Sequence, residues 1–222
     1  MPHDCQSRRP HSVSRWHPYH PLPRQMLDKA YEELDCGAWL VGRITGQEYG
    51  KGGVYATIAE PIAKGNWIIK PNSGGYGIVP DPNGKIVWER SQIDGDQIVC
   101  VLTSQVDEGH LAGLRADGVS YVFAGERTLD LAKALEIAAD EFGVRRLCLQ
   151  GGGVTNGQFL AAGLIDELSV MVFPTFDARP GVSSLVEAPM SLSRIGSVEL
   201  LEHRGMDGGV VWLRYRIGRA SH

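Results

Sequence analysis

The stretch Arg145-Arg146-Leu147-Cys148-Leu149-Gln150-Gly151-Gly152-Gly153-Val154-Thr155-Asn156-Gly157-Gln158-Phe159-Leu160-Ala161-Ala162-Gly163-Leu164-Ile165-Asp166-Glu167-Leu168 decides how the rest of the chain is read. Residues 147–149 form an apolar run of strand length, short enough for a buried strand. Gly151, Gly152 and Gly153 follow at once, and consecutive glycines let backbone approach a ligand closely and take positive φ without steric cost. Thr155 and Gln158 stand three apart in the form of a capping box, so the spacing predicts a helix beginning near Thr155. Phe159, Leu160 and Leu164 share one face of that helix, and Gly163 is its expected stop. A helix opened by a glycine turn presents unpaired N–H groups and the positive end of its dipole, which suits a phosphate or pyrophosphate. The same pattern also describes a tight strand-to-helix turn that binds nothing. Asn156 stands where the G-x-G-x-x-G fingerprint needs its third glycine, and no Gly-Lys-Ser/Thr follows, so neither nucleotide signature is met.

Taken whole, the string resembles the reductase domain of the riboflavin-biosynthesis deaminase/reductase family, which has the dihydrofolate-reductase-like fold. In that family a strand ending in Glu-Gly-Gly is followed by a short helix and then Leu-x-Asp-Glu-Leu. Here the matching residues are Gln150-Gly151-Gly152-Gly153 and Leu164-Ile165-Asp166-Glu167-Leu168, with Gln150 as the departure. The resemblance implies an α/β fold, a mixed and mainly parallel sheet flanked by helices and closed by a C-terminal antiparallel hairpin. It implies an NADPH-dependent reductase of a small organic substrate, similar to the phosphoribosylamino-uracil reductase or to dihydrofolate reductase, acting as a homodimer. It places the cofactor on Gly151, Gly152, Gly153, Val154, Thr155 and Asn156, and makes Gln150 a substrate contact, because the family's Glu touches substrate. A Gln keeps the acceptor, adds a donor and loses the charge, so it cannot act as a general base, and a different substrate is expected.

Two further site candidates come from the same resemblance. The family has a Ser-x-Trp element, matched by Ser14-Arg15-Trp16, which offers Ser14 to the substrate and Trp16 to the nicotinamide. Trp16 reads equally as an aromatic plug against the core. The family also has a strand ending in Gly-x-x-Thr, matched by Gly42-Arg43-Ile44-Thr45, which makes Thr45 a cofactor contact; by itself Thr45 is a helix cap or loop hydroxyl. The family's first strand, which precedes its Ser-x-Trp element, has no counterpart. Residues 1–13 carry Asp4, Arg8, Arg9 and Pro10 and bury no apolar face, so residues 1–23 are expected to be irregular. That departure leaves open a second reading: a weak or inactive homodimeric relic of the fold that binds a nucleotide without turnover.

Composition narrows the field. The 222 residues suffice for one domain with a sizeable core, and 43% hydrophobic with 22% charged residues fits a soluble globular chain. A net charge of -4 gives no reason to expect nucleic acid. No apolar run is long enough to cross a membrane and no apolar leader opens the chain, so a cytoplasmic location is expected. Cys5, Cys36, Cys100 and Cys148 form no C-x-x-C pair, and the last three lie in or beside apolar runs, which reads as buried free thiols. The seven histidines form no metal motif, and the H-x-E and P-C-x-x-C of a zinc deaminase are absent, so the reductase half is matched without its deaminase partner. A nicotinamide carries its own hydride, so the lack of an acid–base constellation does not count against a reductase, and no catalytic side chain is assigned. Asp166 and Glu167 fit a junction better than a catalytic pair. A short-chain dehydrogenase is disfavoured, since both the glycine fingerprint and a Tyr-x-x-x-Lys pair are missing.

The remaining pattern is a strand–helix alternation. Helices are expected over 24–34 (with Met26, Leu27, Ala30, Tyr31 and Leu34 as the apolar face), over 108–115, and from the cap Asp130 through Phe142 to Gly143. Strands are expected at 38–41, 76–79, 85–88, 98–102, 119–123 and 168–173, with a hairpin of 198–201 and 210–217. Residues 81–84, Asp-Pro-Asn-Gly, are a strong turn. Residues 46–75 read as a long surface connection with one apolar piece at 67–69, and 177–184 as a loop. No domain boundary is expected within 1–222.

Overall fold

A computed structural model describes residues 22–55, 62–175, 184–187 and 196–218. Ser14, Trp16, residues 1–21 and the loop at 177–183 fall outside the described residues. The chain forms two compact units, Met1–Gly151 and Gly152–His222. In chain order the first contains α1 (Leu22–Leu34), β1 (Ala38–Leu40), α2 (Arg43–Tyr49), β2 (Lys51–Gly52), β3 (Tyr76–Pro80) and β4 (Ile86–Val87). It continues with β5 (Gln92–Ile93), β6 (Asp96–Leu102), α3 (Glu108–Ala116), β7 (Ser120–Phe123), α4 (Leu131–Phe142) and β8 (Leu147–Leu149). The second contains α5 (Gly153–Ala161), β9 (Glu167–Val172), β10 (Val198–Gly205) and β11 (Val211–Ile217).

In the first unit β7, β6, β3, β1 and β8 pair in that order, all parallel, and β5 adds a short antiparallel pairing to the start of β6. All seven residues of β6 are buried, as a central parallel strand covered on both faces must be. Trp39, Trp88, Tyr121, Ile98 and Leu102 anchor the core. The expected cap of α4 holds, with Asp130 accepting from the Lys133 N–H and Gly143 ending the helix at φ 66, and α3 is capped by Asp107, which accepts from the Gly109 N–H. The turn at 81–84 is stapled by Asp81, whose Oδ2 accepts from the backbone of Lys85 and Ile86.

Several expectations are corrected. The connection 46–75 contains the end of α2 and all of β2, because Gly46 lets α2 lie directly on β3; a Cβ there would come within 2.5 Å of Val79. Residues 67–69 supply only an isolated antiparallel bridge between Trp67 and Tyr121, reinforced by the Ser120 hydroxyl on Ile69. Helix α1 starts at Leu22, earlier than expected, and buries Met26 and Ala30 but leaves Leu27 exposed. The strand expected at 85–88 is only β4, which pairs with β2 and not with the central sheet. β8 is half-buried along its length, because among the described residues it has a strand neighbour on one side only. Cys100 is buried, but Cys36 and Cys148 are half-exposed.

The second unit has its own antiparallel sheet, in which the hairpin β10–β11 pairs with β9. Cross-strand ion pairs line one face: Arg214 with Glu167 at 2.8 Å and Glu202 at 3.2 Å, and Arg216 with Glu199 at 2.8 Å. Glu167 is therefore a structural partner of Arg214, in keeping with the junction reading. The opposite face carries Val172, Val198, Leu200 and Val211, all well exposed.

Buried His110 on α3 makes stability sensitive to acid. Its ring packs edge-on to Tyr55, and neither ring nitrogen has a hydrogen-bond partner among the described residues. Burial, aided by Lys85 and opposed by Asp107, pushes its pKa down to about 4. The unfolded chain then binds more protons below the ordinary value, so stability is full above pH ~6.5 and falls as pH drops toward ~4. The expected loss is at most about 3 kcal/mol. Urea unfolding of wild type and His110→Leu across that window checks it: the variant's acid slope should be shallower, and equal slopes would exclude His110 as the source.

Candidate functional site

The parallel strands of the first unit end along one edge of their sheet, the edge at which open α/β sheets take ligands. β1 leads through Gly42, whose extended backbone caps α2 without a side-chain bond, and Thr45 lies half-buried in the first turn of that helix. Arg43 stands two residues earlier and donates through Nη1 to Gln47 at 3.0 Å. At the end of β3, Asp81 is fully buried, and burial raises its pKa, while its backbone donors and the charge of Arg43 pull it back. Sequence reasoning passed over Arg43 and Asp81. The available signal was a cation inside the quoted Gly42-Arg43-Ile44-Thr45 string.

At the end of β8, the Gln150 N–H donates to the Leu40 carbonyl at 2.8 Å, which carries the β1–β8 ladder one residue past the strand. Its backbone is fixed and its side chain is exposed, with only a long 3.6 Å contact from Nε2 to the Cys148 sulfur. A side chain so placed can present both a donor and an acceptor to a ligand.

In the second unit α5 begins at Gly153, two residues before the expected start at Thr155, with Gly152 as its N-cap. No side chain caps it, so the capping-box reading of Thr155 and Gln158 is corrected. Thr155 lies inside the helix, past the N-cap position, and residues 184–187 dock on the first turn. The Glu187 N–H donates to the Gly153 carbonyl at 2.8 Å, and Asn156 Nδ2 donates to the Leu185 carbonyl at 3.0 Å. A Cβ at Gly153 would meet Ser184 and Glu187 within 3.0 Å, so this glycine serves close approach. Of the two uses the sequence allows these glycines, close approach and positive φ, the second is not made, since none of Gly151, Gly152 and Gly153 takes positive φ. Gly163 does, at φ 67, and ends the helix as expected.

Helix geometry leaves the N–H groups of Gly153, Val154 and Thr155 without intrahelical acceptors. The Asn156 N–H is already given to the Gly152 carbonyl at 3.0 Å, so Asn156 adds no backbone donor. Space is open at Gly152, where a Cβ would meet nothing within 4 Å. Among the described residues no acceptor claims these three donors, and at a positive helix end beside Gly152 they fit one anionic group of the pyrophosphate type. The Glu187 carboxylate beside Gly153 confines that anion to the Gly152 side.

The family model described as the RibD C-terminal domain matches residues 10–197. The chain belongs to that family. Among solved structures it is similar to a pyrimidine reductase-like protein from Corynebacterium diphtheriae, with 16% identity, a TM-score of 0.58, and coverage of 83% of this chain and 77% of that one. It is also similar to RibD from Acinetobacter baumannii in two forms, with 15% and 14% identity and TM-scores of 0.59 and 0.57. Those matches cover 95% and 87% of this chain but only 54% and 51% of RibD, so the chain spans about half the length of that protein. At such identities the likeness shows the fold. Membership of the RibD C-terminal domain family supports a reductase role.

Proposed function

We propose that the chain is an NADPH-dependent reductase of a small organic substrate, a pterin-like or ribosylated pyrimidine compound. The observation that carries this is the first turn of α5 in a member of the RibD C-terminal domain family, where three N–H groups have no acceptor and a Cβ at Gly152 no neighbour among the described residues. A bound nicotinamide would supply the hydride. The chain's own residues then have three tasks. Gly151, Gly152, Gly153, Val154 and Thr155 hold phosphate through backbone, Thr45 adds a hydroxyl, and Gln150 presents its amide to the substrate. Without a carboxylate at position 150, orientation is this side chain's contribution, and proton transfer is not.

The same reading takes 1–222 as one reductase domain that works as a cytoplasmic homodimer. The second copy is supported by the exposed apolar sheet face of Val172, Val198, Leu200 and Val211, which is wide for a lone chain. No helix among the described residues is long and apolar enough to cross a membrane.

Thermal unfolding with and without NADPH tests the reading. A ligand of the native state at about 100 times its Kd stabilises by about 2.7 kcal/mol. For a chain of this size that is a rise of roughly 5–10 °C in Tm. No shift at saturating NADPH would overturn the proposal. A shift without NADPH oxidation, on any pterin or ribosylated pyrimidine supplied, would identify the inactive relic instead.

A further inference from the structure

β7 is an end strand of the first unit's parallel sheet, with β6 on its inner side. Along a strand the N–H and C=O groups face its two sides in alternation, so those of Tyr121 and Phe123, and of Val119 just before the strand, point away from β6. Each of these three N–H groups is claimed. Val119 donates to the Leu114 carbonyl at 2.8 Å, Tyr121 to the Trp67 carbonyl at 2.8 Å, and Phe123 to the Asn66 side-chain oxygen at 3.0 Å. In return the Tyr121 carbonyl accepts from the Trp67 N–H at 2.9 Å, and the Ser120 hydroxyl accepts from the Ile69 N–H at 2.9 Å. Side chains tie the covering segment down. Arg115 of α3 donates through Nε to the Tyr121 hydroxyl at 2.8 Å and through Nη2 to the Ala63 carbonyl at 3.4 Å, and its guanidinium lies over the Trp67 ring at 4.6 Å. Lys64 donates to the Ser104 carbonyl at 2.9 Å. Trp67 itself stays partly exposed, its ring packed against a cation at the surface.

We propose that residues 63–69 are a guard for the β7 edge, latched by Arg115, that keeps a second copy of this chain from adding its own β7 there. Unguarded, β7 offers Ser-Tyr-Val-Phe, an uncharged run with a β-branched residue and two aromatics, the kind of edge that recruits another strand. A second copy is the fitting occupant because the guard meets Tyr121 in an antiparallel bridge. Two β7 strands laid antiparallel about Tyr121 would make the same pair of bonds with each other, across a two-fold axis. The guard satisfies the edge without lengthening the sheet. It forms one backbone bridge, at Trp67, and the side chains of Asn66 and Ser120 replace the ladder bonds on either side. An edge that short is a poor template for a further strand.

Amide hydrogen exchange and sedimentation of the full chain, as wild type, Arg115→Ala and Trp67→Pro, test the guard. Arg115→Ala removes the latch, and the Tyr121 and Phe123 amides should exchange about tenfold faster in dilute solution, where copies do not meet. The Ala124 amide is the control, since it donates inward to the Leu102 carbonyl at 2.9 Å and should keep its wild-type rate. Trp67→Pro removes both the N–H that Tyr121 accepts and the ring under Arg115, and Pro cannot restore the bridge. This variant should sediment one association step above wild type, in a concentration-dependent manner, with Tyr121 protected again in the associated form. Unchanged exchange at Tyr121 in Arg115→Ala would overturn the latch. Faster exchange with a wild-type mass for Trp67→Pro at every concentration would overturn the guarding role. Association accompanied by faster exchange at Ala124 would trace it to unfolding of the sheet and overturn the proposal as well.

Discussion

Replacing Gly152 with Val is expected to lower NADPH affinity by about 100-fold or more while leaving the fold in place. A Cβ at this position meets no protein atom within 4 Å, and the backbone at φ -71 and ψ 172 is extended and suits valine. The cost to stability is the loss of a tolerated N-cap residue, about 1 kcal/mol, or a fall of roughly 2–4 °C in Tm. The new side chain would stand beside the three N–H groups that have no acceptor among the described residues, where the phosphate must sit to accept from them. Losing charge-assisted hydrogen bonds at roughly 1.5–3 kcal/mol each accounts for a change of that size. Titration of NADPH into folded wild type and variant checks it, and unchanged affinity would remove the cofactor from α5. Gln150→Ala supplies the contrast. Turnover or substrate affinity should suffer, while NADPH affinity should stay within a few-fold, and a large loss of NADPH affinity would end that division of roles.

Gly77→Val is expected to destabilise the first unit by more than about 3 kcal/mol, and Gly77→Ala by less. Gly77 is buried in β3, directly opposite Trp39 of β1 and Ile98 of β6. A Cβ there would lie 2.4 Å from Trp39 Cζ2 and 2.6 Å from Cη2. The ring cannot step aside, because it is itself buried and its Nε1 donates to Asp96 Oδ2 at 2.7 Å. That carboxylate also accepts from the Gly75 N–H at 2.8 Å, so shifting the indole would unsettle a buried acceptor on two sides. Urea unfolding followed by tryptophan fluorescence measures the effect. Gly37→Ala is the control, since a Cβ at Gly37 touches nothing within 4 Å and the substitution should be nearly silent. Equal midpoints for Gly77→Val and wild type would show that the Trp39 contact is not tight in solution.

Much of the fold was legible because it rests on local rules. The apolar run 98–102 became part of β6, the carboxylate of Asp130 capped its helix, and Gly143 and Gly163 ended theirs in the left-handed region. The candidate site was legible in part. The string from Gln150 to Asn156 was recognised as a whole, and Gln150 proved exposed at a strand end. Thr155 misled, because the helix starts at Gly153 with Gly152 as its N-cap, which leaves Thr155 inside the first turn, where residues 184–187, roughly thirty positions away, dock.

What the sequence by itself determined was the order and kind of most elements, since hydrophobic period, caps and turn residues act over a few neighbouring residues. Tertiary structure alone decided which strands pair and what each glycine is for. β4 left the central sheet for β2, and β8 stayed half-buried with one strand neighbour among the described residues. Gly46 and Gly77 serve close packing against Val79 and Trp39, and Gly153 the approach of Glu187. Such contacts depend on which backbones lie side by side, and no short stretch of sequence carries that information.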